Sequence, residues 1–440
     1  MPKTIYIETL GCARNQVDSE MIMGQFKEAG WVLTDNPDQA ETIVINTCGF
    51  IEDAINQSID TILELARFKQ KGVCRRLIVA GCLPERFRDE IIKTMPEADF
   101  FVGTGAFDKI LGIAQGSVKT DGCLLPKPEL AAVKTNSSER IISSAPSAYL
   151  KIAEGCNRHC SYCIIPQLRG VQRSRYIKDI LAEARILIKN GVKEINLVAQ
   201  DTTDYGADLN PPASLNALLD VLAPLVGENR IRILYGHPDS IDPAVIKTVA
   251  AHTNICSYFD IPVQHASPSV LKRMGRYYDT ETLFNLFDTI RTHIPDAALR
   301  TTIMVGFPGE TDDEFEELLS FIKKIRFDHL GVFLYSDADD LPSHRLSDHV
   351  PKKLAKSRHD HLMDAQRTIS EKNNAQYIDK VFPVLIETSP EDHLYIGRTA
   401  FQAPEVDGIT YIRSANLEIG SFADIKITDA LEYDLVGEIT

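Results

Sequence analysis

From Thr4 to about residue 335 the chain repeats one pattern: an apolar run short enough for a strand, then an amphipathic segment long enough for a helix. No other feature of the sequence restricts the fold as much. Strands separated by helices cannot pair as hairpins; they pair in parallel, with the crossover helices covering the sheet. In the first 115 or so residues the strand candidates are TIYIETL, TIVIN, RLIVA and DFFVG, alternating with helical stretches such as DSEMIMGQFKEAG and FIEDAINQSIDTILELARF. An N-terminal parallel-sheet α/β domain is predicted over residues 1–117.

The pattern lapses over residues 118–147, where Pro126, Pro128, Asn136, Ser137, Ser138, Ser143 and Ser144 mark a linker. It resumes over 148–375 with six strand candidates, AYLKIA, INLVAQ, IRILY, YFDIPV, LRTTIMVGF and HLGVFLY, and closes on the helical stretch KKLAKSRHDHLMDAQRTISEKNNAQYI. Six successive βα units predict a curved parallel sheet, a partial (β/α)6 barrel, with chemistry at the carboxyl ends of its strands. Over 376–440 the period changes to short alternating strands, VFPVLIET, LYIGRTAF, ITYIRS, FADIKIT and YDLVGEI, which predict a small five-stranded β-barrel.

The start, MPKTIYIETLGC, does not resemble a signal peptide, and no stretch approaches membrane-spanning length, so a cytoplasmic location is expected. Thiols stay reduced there, and nine cysteines read as ligands or small buried hydrophobes rather than disulfides. Cys156, Cys160 and Cys163, in EGCNRHCSYC, form a C-x3-C-x2-C run directly after the first strand of the central domain. A closed zinc site needs four ligands, and the nearby extra candidate, His159, sits beside Cys160, where joint ligation is awkward. Three thiolates on a 4Fe-4S cluster instead leave one iron open. An open iron is what S-adenosylmethionine chelates through its amino and carboxylate groups before an electron breaks the sulfonium bond. Tyr162, just ahead of the last Cys, is placed to lie near the bound adenine. The alternative is a zinc knot or three incidental thiols.

Cys12, Cys48 and Cys82 each follow a predicted strand, in TLGC, INTC and VAGC. Ligands at the carboxyl edge of a doubly wound sheet face one crevice, and a spacing of about 35 residues is that of one βα unit. Gly11 and Gly81 precede two of them and would let the backbone turn tightly beside a bulky cluster. Ordinary strand-end turns with buried thiols would give the same spacing. Cys74, Cys123 and Cys256 have no partner at ligand spacing and are assigned no role.

With GCARNQVDSE, NTCGFI, AGC, YLKIAEGCNRHCSYCIIPQLRG, DIPVQH, MVGFPGET and the terminal barrel, the chain resembles the methylthiotransferases of the radical S-adenosylmethionine superfamily over essentially its whole length. The barrel is similar to the domain called TRAM. The resemblance implies one 4Fe-4S cluster on Cys156, Cys160 and Cys163 and an auxiliary 4Fe-4S cluster on Cys12, Cys48 and Cys82. It further implies that S-adenosylmethionine is used twice. One molecule methylates sulfur on the auxiliary cluster; a second is cleaved to a deoxyadenosyl radical that removes hydrogen from an unactivated carbon, which then takes up the methylthio group. Val305 to Thr311, with Gly306, Pro308 and Gly309, would shape the cofactor pocket through backbone groups. The strand-end residues Gln200, Gln264 and His265 would contact cofactor or substrate, with strand-end hydrogen bonding the equal alternative. Asp201 and Glu310 are given no base role, because a radical abstracts hydrogen directly.

Family members modify either a transfer RNA adenosine or an aspartate of small-subunit ribosomal protein twelve. GCARNQVDSE, NTCGFI and QDTTDYG resemble the ribosomal-protein branch; tRNA-modifying members typically have a GCQMN-like first motif. Charge points the same way. The chain carries a net −15, and from Gln376 to Thr440 only four Lys/Arg stand against twelve Asp/Glu. A barrel that grips tRNA should be basic. An acidic one suits a Lys/Arg-rich ribosomal protein, or serves only to solubilise. The expected activity is methylthio transfer to the β-carbon of that aspartate, in the free protein or the assembled subunit. A reducing donor such as a flavodoxin is expected, with no membrane and no nucleic acid except through the ribosome. The second reading, a tRNA adenosine methylthiotransferase, requires a basic surface made by folding, to which Arg169, Arg173 and Arg175 could contribute. A third, a non-catalytic iron-sulfur redox sensor, has no use for VGFPGET or the barrel.

Overall fold

The first sheet contains six strands, β1 (Thr4–Thr9), β2 (Val32–Leu33), β3 (Thr42–Thr47), β4 (Arg76–Gly81), β5 (Phe100–Val102) and β6 (Cys123–Leu124), all parallel and ordered β2-β1-β3-β4-β5-β6. The computed structural model describes residues 3–119, 121–131, 140–143 and 145–440; Asn136, Ser137, Ser138 and Ser144 of the expected linker lie outside the described residues. Every residue of β3 is buried, as befits a central strand covered on both faces. Phe26, Trp31 and Ile110 pack on one face of the sheet, and Ile62 and Leu65 on the other. Strands β2 and β6 are too short for an alternating pattern to reveal them. Because β6 pairs with β5, the sheet continues past residue 117 into the segment expected to be linker.

The central domain contributes β7 (Ser147–Lys151), the small antiparallel pair β8 (Ala153–Glu154) and β9 (Arg173–Ser174), then β10 (Glu194–Val198), β11 (Arg230–Ile233), β12 (Tyr258–Asp260), β13 (Ala298–Val305) and β14 (His329–Leu334). Its parallel strands run β7-β10-β11 and β12-β13-β14, joined by a bridge between Ile231 and Ile255. Strands β7 and β14 are the edges of this curved sheet, which is the partial barrel the βα repeats predicted. One continuous core, including Leu150, Leu197, Ile231, Phe287, Leu318 and Leu362, fills the layer between strands and helices.

The last five strands, β15 (Val381–Glu391), β16 (Leu394–Arg398), β17 (Thr410–Arg413), β18 (Phe422–Ala430) and β19 (Leu435–Ile439), close as β15-β16-β17-β19-β18 around Val384, Ile386, Ile412, Ile425 and Ile427. The loop after β16 enters the concave side of the central sheet. Arg232 donates to the Ala400 carbonyl (2.8 Å), His329 lies 2.7 Å from the Phe401 carbonyl, and the Tyr258 hydroxyl donates to Asp407 (2.6 Å). Glu194, fully buried at the start of β10, pairs with Arg232 (3.1 Å) and with Arg398 of the small barrel (2.8 Å).

Candidate active site

Cys12, Cys48 and Cys82 stand at the carboxyl ends of three adjacent strands, β1, β3 and β4. Gly11 and Gly81 have φ of 97° and 101°, a left-handed conformation that L side chains rarely adopt. A Cβ on Gly11 would come within 2.9 Å of Cys48 Cβ, and one on Gly81 within 2.5 Å of Asn46 Oδ1, so the strand ends approach this closely only with glycine there. Two buried asparagines hold the loops in place. Asn15 Nδ2 donates to the carbonyls of Leu10 (2.8 Å) and Thr47 (3.1 Å), and Asn46 Nδ2 donates to the Asn15 carbonyl (2.9 Å) and Ser19 Oγ (3.0 Å).

The second triad lies in the loop that β8 and β9 pinch together. The Cys156 amide donates to the Gly170 carbonyl (3.1 Å) and the Cys163 amide to the Cys160 carbonyl (3.0 Å). Ser161 fastens the loop to the neighbouring segment through its amide to the Met274 carbonyl (3.0 Å) and its hydroxyl to the Arg273 carbonyl (2.8 Å). Tyr162 meets Phe307 edge-on, with ring centroids 6.4 Å apart, and its hydroxyl accepts from Arg276 Nε (3.0 Å). The cluster loop therefore packs against the VGFPGET segment.

That segment spends part of its backbone on itself. The amides of Gly306 and Phe307 donate to Glu310 Oε2 (2.6 and 3.2 Å), Arg358 holds Glu310 Oε1 (2.9 Å), and the Gly309 amide donates to the Asp348 carbonyl (2.8 Å). Pro308 is buried beside them. These amides build the turn after β13 rather than standing open to a cofactor. Gln264, at φ 67°, pairs its backbone with Thr302 and Met304 of β13. Gln200 donates to Glu154 Oε1 (2.7 Å). His265 accepts from the Ser267 amide (3.0 Å), and burial, helped by Arg273 and Arg358, pushes its pKa down to about 3, so it is neutral.

The helix Ile165–Arg169, which begins two residues after Cys163, carries Arg169 across to the other triad. Arg169 Nη2 lies 3.6 Å from Cys82 Sγ and 2.5 Å from Asn15 Oδ1, while Nη1 pairs with Asp18 (2.7 Å). Arg175 is buried against Glu183 (2.6 Å), and Arg173 donates to the carbonyls of Pro128, Ala131 and Arg169. The expectation that these three arginines could form a basic surface is thus corrected: burial commits Arg169 and Arg175 to carboxylates and Arg173 to carbonyls. Sequence reasoning also missed Asn15, Asn46 and Glu154, whose only trace was a polar residue close to each cysteine.

Burial pushes the thiols of Cys82 and Cys156 up to about 11 and that of Cys163 to about 12. Burial also raises Cys12, but Arg14 and Arg169 outweigh it and hold that thiol below its ordinary value. Among the described residues no three Cys, His, Asp or Glu side chains converge closely enough for a single metal ion. Zinc–sulfur bonds of about 2.3 Å would demand such convergence. A cubane cluster, with its ligands on separate corners, does not, and each triad offers thiols of the kind that a cluster deprotonates.

Three family models match successive parts of the chain: Uncharacterized protein family UPF0004 at residues 4–103, the Radical SAM superfamily at 150–322 and the TRAM domain at 378–440. The ribosomal protein uS12 methylthiotransferase RimO of Desulfosudis oleivorans is 51% identical over 436 residues, 99% of either chain. The chain belongs to the uS12 methylthiotransferase family. The member from Clostridioides difficile is 45% identical over 99% of this chain and 98% of its own. Among solved structures, the radical S-adenosylmethionine methyltransferase TsrM from Kitasatospora setae superimposes with a TM-score of 0.60 at 14% identity, covering 78% of this chain and 77% of that one. At that identity the likeness speaks for the fold alone. For a uS12 methylthiotransferase family member, the order of sheet domain, partial barrel and small barrel is the order the three models match.

Proposed function

We propose that the protein transfers a methylthio group to the β-carbon of an aspartate in ribosomal protein uS12. It would do so with S-adenosylmethionine and two 4Fe-4S clusters, one held by Cys156, Cys160 and Cys163 and an auxiliary one by Cys12, Cys48 and Cys82. The observation that carries this is Arg169: it starts from the helix that follows Cys163 and ends beside Cys82, so both triads border one interface between the sheet domain and the partial barrel. When bound, these groups supply the radical that removes hydrogen from an unactivated carbon and the methylthio group that takes its place. The chain's own residues provide placement and shelter. Asn15 and Asn46 hold the strand-end loops, Tyr162 and Phe307 close an apolar wall, and Arg158 ties the second loop to Asp201 (3.0 Å).

The small barrel supports a basic protein partner. Of its four cations, Arg398 is buried between Glu194 and Glu387 and Lys426 pairs with Asp379 (2.9 Å), so the acidic barrel offers few unpaired cations to a polyanion. A tRNA substrate loses support for the same reason and because Arg169, Arg173 and Arg175 are occupied inside. A cytoplasmic location and a flavodoxin-like electron donor belong to this proposal; among the described residues no helix is long and apolar enough to cross a membrane. The test is anaerobic incubation of the reconstituted enzyme with reductant and S-adenosylmethionine, with small ribosomal subunits and tRNA in parallel, followed by mass spectrometry. A methylthio gain on the uS12 aspartate is expected; gain only on adenosine overturns the reading.

A further inference from the structure

Arg14 lies two residues after Cys12, on the first turn of the helix Ala13–Glu28, and reaches across to the central domain. Its Nη1 donates to the Ala199 carbonyl (3.0 Å) just beyond β10, and its guanidinium lies 4.6 Å from the ring centroid of Tyr235, beyond the end of β11. Tyr235 is itself held in an unusual position. Its φ is 63°, its amide donates to Asp260 Oδ2 (2.9 Å), and non-glycine residues keep that conformation only where their surroundings impose it. The ring thus fixes the plane of the guanidinium above it.

Arg14 has no carboxylate partner, and unlike Arg173 and Arg276, which also lack one but make three hydrogen bonds each, it is left with most of its fork unused. Arg169 pairs with Asp18, Arg158 with Asp201, Arg300 with Asp260 and Asp407, and Arg358 with Glu310 and Asp312. Arg276 donates to the hydroxyls of Tyr162 and Tyr278. Among the described residues Arg14 makes no ion pair and one hydrogen bond, and it remains partly accessible. It is Arg169, not Arg14, that donates toward a thiol of the triad. The Ala199 carbonyl and the Tyr235 ring fix this guanidinium in place while it stays partly accessible. A fork held in position and still open at a site of reaction is prepared for an anion that arrives with the ligand. With Nη1 held by a carbonyl, the planar fork keeps Nε and Nη2 for a carboxylate, which it can grip through two parallel hydrogen bonds.

We propose that Arg14 binds the side-chain carboxylate of the substrate aspartate and so holds the β-carbon, one bond away, beside the Cys12, Cys48 and Cys82 triad. This inference rests on the uS12 reading above. It assigns Arg14 the choice of aspartate over its neutral isostere, because a fork left without its anion forfeits charge-assisted hydrogen bonds worth on the order of 10- to 100-fold in affinity.

The test measures equilibrium binding, without reductant, of uS12 carrying either Asp or Asn at the target position to anaerobically reconstituted enzyme, with iron content confirming that both clusters are loaded. The wild-type enzyme is expected to prefer the Asp form by about 10- to 100-fold, and Arg14→Gln to bring the two forms within about twofold of each other. Arg14→Lys, a point charge without the fork, should keep only part of the preference. It decides the matter if the Gln variant fails to load iron: a reduced preference supports the assignment and an unchanged one overturns it. An iron-loaded Arg14→Gln that keeps the wild-type preference overturns it as well. So does a wild-type enzyme without preference. In that last case mass spectrometry of turnover separates the two ideas, since a methylthio gain on uS12 would leave the substrate reading standing and remove only the role of Arg14.

Discussion

Cys12 and Cys156 occupy similar strand-end loops in opposite electrostatic settings. Burial raises Cys156 to about 11, eased chiefly by the Arg158 amide, whereas two guanidiniums hold Cys12 below its ordinary value. The proposed division of labour makes their removal separable. Cys156→Ala should abolish reductive cleavage of S-adenosylmethionine, while Cys12→Ala should retain measurable cleavage and yield no methylthio product. Chromatography of deoxyadenosine and mass spectrometry of uS12 read the two separately. Equal loss of cleavage in both variants, each with native circular dichroism, would refute the division. These cysteines were legible in the sequence because each follows an apolar run, and a strand end is a local property. Arg14 was not, because which N–H groups of a guanidinium stay free is visible only once all its neighbours are in place.

At the scale of elements, β10 shows how the small barrel is attached. Ile195 and Leu197 join the core beneath the helices, while Glu194, at the start of the strand, meets Arg232 and Arg398. Burial alone would raise the Glu194 carboxyl, but Arg232, Arg398 and Arg230 outweigh it and hold its pKa down to about 2, against an ordinary 4.5. A carboxyl depressed in the folded state stabilises it fully above the unfolded value and loses that contribution as pH falls toward the folded one. The stability gap between wild type and Glu194→Gln should therefore be on the order of 3 kcal/mol near neutrality and shrink between pH of about 4.5 and 2. Urea unfolding at stepped pH measures it; a gap that persists unchanged at low pH would assign the effect to packing instead.

For the whole molecule the governing quantity is charge distribution. The chain carries −15, its small barrel is acidic, and the arginines that might have made a basic face are internal. Long-range attraction to a basic protein is screened by salt. Association of uS12, followed by stopped-flow fluorescence, should slow several-fold as ionic strength rises from about 0.05 to about 0.5 M. A rate indifferent to salt would leave the acidity as a solubilising feature only.

The sequence by itself determined the three-part architecture, the six strands of the partial barrel, the five of the small one and the placement of three cysteines at strand ends and three in one loop after a strand. Hydrophobic period and turn residues report which face of a local segment is buried, and these features need nothing more. Only the tertiary structure revealed that β2 and β6 extend the first sheet, because two-residue strands have no period to read. It alone decided that Glu310 takes up the Gly306 and Phe307 amides, that Arg169 joins the triads and that Arg398 anchors the small barrel to Glu194. The pairing of a buried charge depends on which distant strand or helix reaches it, and that is set by the register and packing of the whole chain.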